Sequence, residues 1–165
     1  MGISAIVLFE KDHSIDIEKL LITTEDWSIR ENLYFKIGSS SIKEQIFDSL
    51  NKLKYARVYL DMKKNYVNHD YTTQLCVGFY DEPYENKIIN FRWYSEKKFF
   101  FKAIVVEEFF ENEKLLFEFL YIILKTFPQG LVWIEENWFY RSEDLEKIKN
   151  NPFDEDWCYK NPKEL

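Results

Sequence analysis

Apolar residues crowd one stretch of this chain more densely than any other. Residues 99–140 read FFFKAIVVEEFF, ENEKLLFEFLYIILKTFPQG and LVWIEENWFY, which predicts a strand, an apolar helix and a returning strand. In the helix, Leu115, Leu116, Phe117, Phe119, Leu120, Ile122, Ile123 and Leu124 cover most of the circumference. The polar positions Lys114, Glu118, Tyr121 and Lys125 recur at steps of four, three and four, one narrow stripe on a 3.6-residue repeat. The helix should therefore be buried on every side but one. Asn112 is placed to cap it, and Glu111 and Glu113 suit the positive end of its dipole. Phe127-Pro128-Gln129-Gly130 ends it, because proline cannot continue the hydrogen-bond ladder and glycine permits the reversal.

The remaining segments are shorter. Residues 3–9 form a continuous apolar run of strand length, which predicts a buried strand. Residues 16–22 suggest a short helix capped by Ser14 or Asp16, followed by an irregular stretch over 23–29. Residues 31–37 alternate Leu33, Phe35 and Ile37 with polar neighbours, the pattern of a half-exposed strand. Ser41 and Glu44 match a capping box, and Ile42, Ile46, Phe47, Leu50 and Leu53 continue it as an apolar helical stripe. Strands are expected over 55–62, 72–80 and 87–94. A polar loop over 63–71, a turn over 81–86 and a hairpin connection over 95–98 separate them. After the returning strand, Ser142-Glu143-Asp144 opens a short helix through Lys149, and Asn150-Asn151-Pro152 stops it. Trp157 and Tyr159 tie the tail to the body.

This order predicts an α+β fold in a single domain spanning residues 1–165. One antiparallel sheet carries two main helices on one face, the capped helix after Ser41 and the central one. A ferredoxin-like split β-α-β core over residues 31–136, with an N-terminal addition, fits the order. At 165 residues the core is large enough to stand without staples. Cys76 and Cys158 lie far apart and form no disulfide framework, so a reducing, cytoplasmic setting is expected. The N-terminus lacks the basic lead of a signal peptide and the serine or threonine of a myristoylation site. The central helix is too short and too charged to span a membrane.

The charge distribution sharpens this picture. The formal charge is −7. Between Val106 and Asp156, 13 acidic residues face 5 basic ones, so this third of the chain carries the whole excess. Such a surface repels nucleic acid and anionic membranes and attracts basic partners; a plain solubilising face has the same composition.

Catalytic chemistry finds little support. His13 and His69 have no partners at metal-ligand spacing, and no metal or cofactor is expected. Cys76 sits mid-strand without a nearby base, the setting of a small core residue. The four glycines are isolated, so no phosphate-binding loop exists. Serines 39–41 lack a nucleophile elbow. Two carboxylate pairs, Glu107-Glu108 and Glu135-Glu136, sit at strand ends and would approach each other if those strands paired. Neighbouring strand residues point to opposite faces, which splits each pair and favours a solvated rim over an acid–base dyad. With Asp81, Glu82, Glu85 and Glu111, and with the aromatics Tyr80, Tyr84, Trp138 and Tyr140, they compose a binding face for a basic protein, in which aromatics anchor and charges steer. Trp93 and Trp133 are read as core.

The run LVWIEENWFYRSEDLEKI followed by NPFDEDWCYKNP resembles the closing strand, helix and tail of immunity proteins from bacterial polymorphic-toxin and contact-dependent-inhibition systems. The resemblance covers the last third of the chain. It implies a cytoplasmic, non-catalytic protein that binds one cognate toxin domain, often a basic nuclease, and occludes it. The expected binding residues are Asp81, Glu82, Tyr84, Glu85, Glu107, Glu108, Glu111, Glu135, Glu136 and Trp138. A small enzyme with an unrecognised acidic site and a scaffold subunit are the alternatives; the sequence leaves the oligomeric state open.

Overall fold

The computed structural model describes residues 2–13, 15–38, 45–70, 73–81 and 87–165. It is an α+β fold whose described strands join one antiparallel sheet. The strands are β1 (Ala5–Glu10), β2 (Leu33–Ile37), β3 (Gln45–Phe47), β4 (Leu53–Met62), β5 (Leu75–Tyr80), β6 (Ile88–Ile89), β7 (Phe100–Glu107) and β8 (Leu131–Trp133). The helices are α1 (Ile17–Arg30), α2 (Lys63–Val67), α3 (Glu113–Thr126) and α4 (Ser142–Lys149), with 3-10 turns at Trp157–Tyr159 and Pro162–Glu164. The sheet runs β2-β4-β5-β7-β1-β8, with β3 beside β4 and β6 beside β7.

β7 and β8 both pair antiparallel with β1, so they run parallel to each other, joined by α3, with β1 between them. This is a split β-α-β unit, but its middle strand is residues 5–10. Residues 31–136 are therefore not a self-contained core, and the N-terminal strand is central rather than an addition. Its burial explains this: Ala5, Val7, Leu8 and Phe9 are all fully buried, and only a strand covered on both faces can carry such a run. A register shift opposite Val7 and Leu8 lets both Ala103 and Ile104 join the core on the helical side.

The two main helices are α1 and α3. α1 runs through the stretch expected to be irregular. Ile17, Leu20, Leu21, Thr24, Trp27 and Ser28 form its buried stripe. Thr24 Oγ1 donates to the Leu20 carbonyl at 2.9 Å and Ser28 Oγ to that of Glu25 at 2.7 Å. Two hydroxyl residues thus occupy core positions by bonding to their own helix, which hides the stripe from a hydropathy reading. Asp16 caps α1 by accepting from the Glu18 amide.

The helix expected after Ser41 is not formed by its described part. Ser41, Ile42 and Glu44 lie outside the described residues. Gln45–Phe47 is a strand, Leu53 opens β4, and Leu50 is 87% exposed. Asp48 decides the outcome. Its carboxylate accepts from the amides of Leu50 and Lys52 at 2.9 and 2.8 Å, and Asn51 takes the left-handed conformation. This side-chain-stabilised turn makes a hairpin of β3 and β4 and overrides the helical spacing. Smaller differences follow. The 63–71 segment contains α2, and the strand expected over 87–94 shortens to Ile88–Ile89. Asn112 stands at the N-cap of α3, but its side chain donates to the Thr73 carbonyl instead of capping. At α4 the N-cap position is Arg141, whose amide donates to the carboxylate of Asp144 in the first turn at 2.8 Å.

α3 is buried as expected, with Tyr121 in its polar stripe donating to Glu146 on α4 at 2.8 Å. The tail locks onto α3. Trp157 packs edge-on to Phe117 and its indole N–H donates to the Glu113 carbonyl at 3.0 Å. Fully buried Tyr140 donates to the carbonyls of Trp157 and Lys160. On the opposite face of β7-β1-β8, Ile6, Leu8, Phe91, Phe100, Leu131 and Phe139 form a second apolar cluster. Trp93 and Trp133 pack against it, half-buried.

Leu120 sits fully buried in α3, so a carboxylate there costs several kcal/mol against a total stability of about 5–15. Leu120→Asp should abolish cooperative thermal unfolding, read by circular dichroism. Burial also raises the Cys158 thiol from its ordinary 9.0 to about 12, and Tyr80 and Tyr140 from 10.0 to about 12. The unfolded chain then loses these protons first, so stability should fall as pH rises from about 9 towards 12. Urea titrations across that range test this, and Cys158→Ala should remove the earliest part of the decline.

Candidate interaction surface

The expected binding residues separate into three places. Asp81 follows β5 at one end of the sheet. It is 3% exposed, and its carboxylate binds Lys54 at 2.7 Å and Lys52 at 3.5 Å. It is a covered structural ion pair and offers nothing to a partner. Glu82, Tyr84 and Glu85 lie outside the described residues. Trp138 is half-buried against the main core, beside the buried Phe139 and Tyr140. Tyr140, expected on the binding face, belongs to the core because its hydroxyl closes the tail. Tyr80 is half-buried under Lys87, whose Nζ lies 4.1 Å from the ring centroid.

The remaining five glutamates gather at the other end. Glu107 ends β7, opposite Cys76 at the start of β5, so β5 separates it from Asp81 by about 17 Å. The Glu107-Glu108 and Glu135-Glu136 pairs share this end, but their strands do not pair: β1 lies between them, a gap of about 10 Å. All four, and Glu111, are exposed. Glu108, Glu111 and Glu135 adopt positive φ angles of 45°, 67° and 55°, so both chain segments turn sharply as they leave the sheet. Trp133 anchors the second turn by donating to the Glu136 carbonyl at 2.8 Å. Glu135 also lies in the field of Lys102, whose pKa burial lowers, with Lys87 adding to the shift.

The turn between β7 and α3 presents a feature that the sequence reading passed over. Phe109 is buried and fixes the turn, and the Asn112 amide donates back to its carbonyl at 2.9 Å. Phe110, its neighbour, is 70% exposed. It stands between Glu108 and Glu111, with exposed Ile3 and Tyr159 close by. A recess of about 610 Å³ is lined by Ile3, Glu108, Phe110, Glu111 and Tyr159. A second, of about 370 Å³, is lined by Glu111, Glu113, Lys114, Glu155 and Asp156. Glu111 is common to both, so a recess of mixed aromatic and acidic lining adjoins an acidic one. The signal available in the sequence was the Phe109-Phe110 pair: at a chain reversal, two adjacent aromatics cannot both enter one core.

The described residues include no group of three or more His, Cys, Asp or Glu side chains arranged to hold a metal ion. Cys158 is buried and Cys76 half-buried, and neither is in a disulfide. No described helix is long and apolar enough to cross a membrane. No family model matches the chain, and neither a curated protein nor a solved structure matches it.

The two kinds of carboxylate should respond differently to neutralisation. Asp81→Asn leaves two lysines without their covered partner and should cost about 1–3 kcal/mol, roughly 3–10 °C in melting temperature. Glu111→Gln, on the exposed turn, should leave the melting temperature within about 1 °C. Differential scanning calorimetry of the two variants separates the roles.

Proposed function

We propose that this protein is an inhibitor of the immunity type, which binds a basic toxin domain and covers its substrate-binding surface. The observation that carries the reading is Phe110. A 70%-exposed phenylalanine is held on a tight turn and flanked by Glu108 and Glu111, and Glu111 also borders the adjoining recess of Glu113, Glu155 and Asp156. This is the anatomy of a protein-binding hot spot, an aromatic anchor within a ring of charge. The acids accelerate encounter with a basic partner and fix its orientation, and the ring supplies affinity once water is excluded. The acidic excess of residues 106–156 and the resemblance of the closing segment to immunity proteins support the same reading. The binding set becomes Glu107, Glu108, Phe110, Glu111, Glu135 and Glu136, without Asp81.

The test begins with tagged protein used to capture a partner from its native cells. The captured domain is then expressed alone and together with this protein. The expected result is a basic domain that stops growth alone and is harmless in the pair. Phe110→Ala should weaken the complex by about 2 kcal/mol, roughly 30-fold. Glu108→Lys with Glu111→Lys should slow association and flatten its salt dependence. A captured partner whose toxicity is unchanged by co-expression, or whose affinity ignores both variants, overturns the reading.

A further inference from the structure

A groove of about 590 Å³ lies between the 93–95 turn, the connection from β8 to α4, and the final 3-10 turn. One wall is aromatic, made of Trp93, Tyr94, Trp138 and Phe139. Its rings are held by mutual contact: the Trp93 and Phe139 centroids are 4.8 Å apart, and Tyr94 meets Phe139 edge-on at 5.2 Å. Arg141, Lys147 and Lys163 line the groove as well. Arg141 Nη2 lies 3.3 Å from the Tyr94 hydroxyl, which orients the guanidinium beside the aromatic wall. Lys147 and Lys163 are exposed and form no ion pair with a described residue. Asp144 also lines the groove, but its carboxylate is engaged by the Arg141 amide.

Among the lining side chains three cations stand against one carboxylate, Asp144, with Glu96 close enough to act on Arg141, so the side-chain balance of the groove is positive on a chain of charge −7. It therefore stands apart from the acidic turn at Phe110 and calls for a different ligand. Aromatic faces take a planar ring, and clustered lysine and arginine take a phosphate or carboxylate. The volume falls in the small-molecule range of about 300–1,000 Å³. Glu135 and Glu136, immediately before Asn137 of the lining, would repel an extended polyanion leaving on that side. These observations favour a compact ligand over a nucleic-acid strand.

We propose that this groove binds a compact planar anion of the mononucleotide class, its base against the aromatic wall and its phosphate at Arg141, Lys147 and Lys163. Trp93 and Trp138 line the groove, so their fluorescence reports occupancy, and calorimetry gives affinity independently. The probes are the common nucleoside monophosphates, with adenosine, inorganic phosphate and a short single-stranded oligonucleotide as comparisons. The expected result is saturable binding of a monophosphate, with adenosine and phosphate each at least about tenfold weaker. Lys147→Gln with Lys163→Gln should weaken that binding by about tenfold or more while melting is unchanged. Absence of saturable binding by every monophosphate overturns the proposal. Unchanged affinity in the lysine variant, or tighter binding of the oligonucleotide, does so too.

Discussion

The insertion of β1 between β7 and β8 is the constraint on which the rest of the molecule depends. β7, α3 and β8 are consecutive, and the crossover through α3 sets its two strands one strand's width too far apart to pair. An N-terminal segment fills the gap, and its fully buried side chains join both apolar clusters: Ala5, Val7 and Phe9 on the helical side, Ile6 and Leu8 on the other. Without that strand the edges of β7 and β8 that face it would lose their partners, and α3 would lose part of the surface it covers. The tail then closes the assembly through Tyr140 and Trp157.

The same constraint shapes the acidic end of the sheet. Because β1 keeps the two strands apart, their exits form two separate acidic turns rather than one carboxylate dyad. A spacing of about two strands suits a broad electrostatic surface better than proton transfer between paired acids, which needs hydrogen-bonding distance. Burying Phe109 determines which way the first turn faces, and its neighbour is left in water as a consequence. Exposure of Phe110 is thus built into the fold and is stabilised by the same contacts that start α3.

Charge on this chain does two kinds of work that composition cannot distinguish. Asp81 holds two lysines at the β4–β5 end, and Asp48 and Asp144 shape a turn and a helix start. The glutamates at the β7 and β8 exits make no such bonds through their carboxylates among the described residues, and they retain their hydration. Only the second kind is available to a partner. The cationic groove shows the same division from the other side, since Lys147 and Lys163 form no ion pair among the described residues while Lys54 and Lys160 are committed to neighbouring aspartates.

The sequence by itself determined the fold class, the burial of α3, the alternation in β2, the strands at β4 and β5, and the presence of an acidic exit at Glu107 and Glu135. These follow from local periodicity and from runs of one residue type, which a chain carries whatever its topology. Tertiary structure alone decided three matters. It placed residues 5–10 at the centre of the sheet, because strand order depends on which edges are covered and no local pattern records that. It replaced the helix expected after Ser41 with a hairpin over its described residues, because the Asp48 turn and pairing with β4 outweigh a weak helical stripe. It also separated Asp81 from the other candidates and brought forward Phe110, because whether a carboxylate is committed or free, and which of two adjacent aromatics is buried, depends on neighbours distant in sequence.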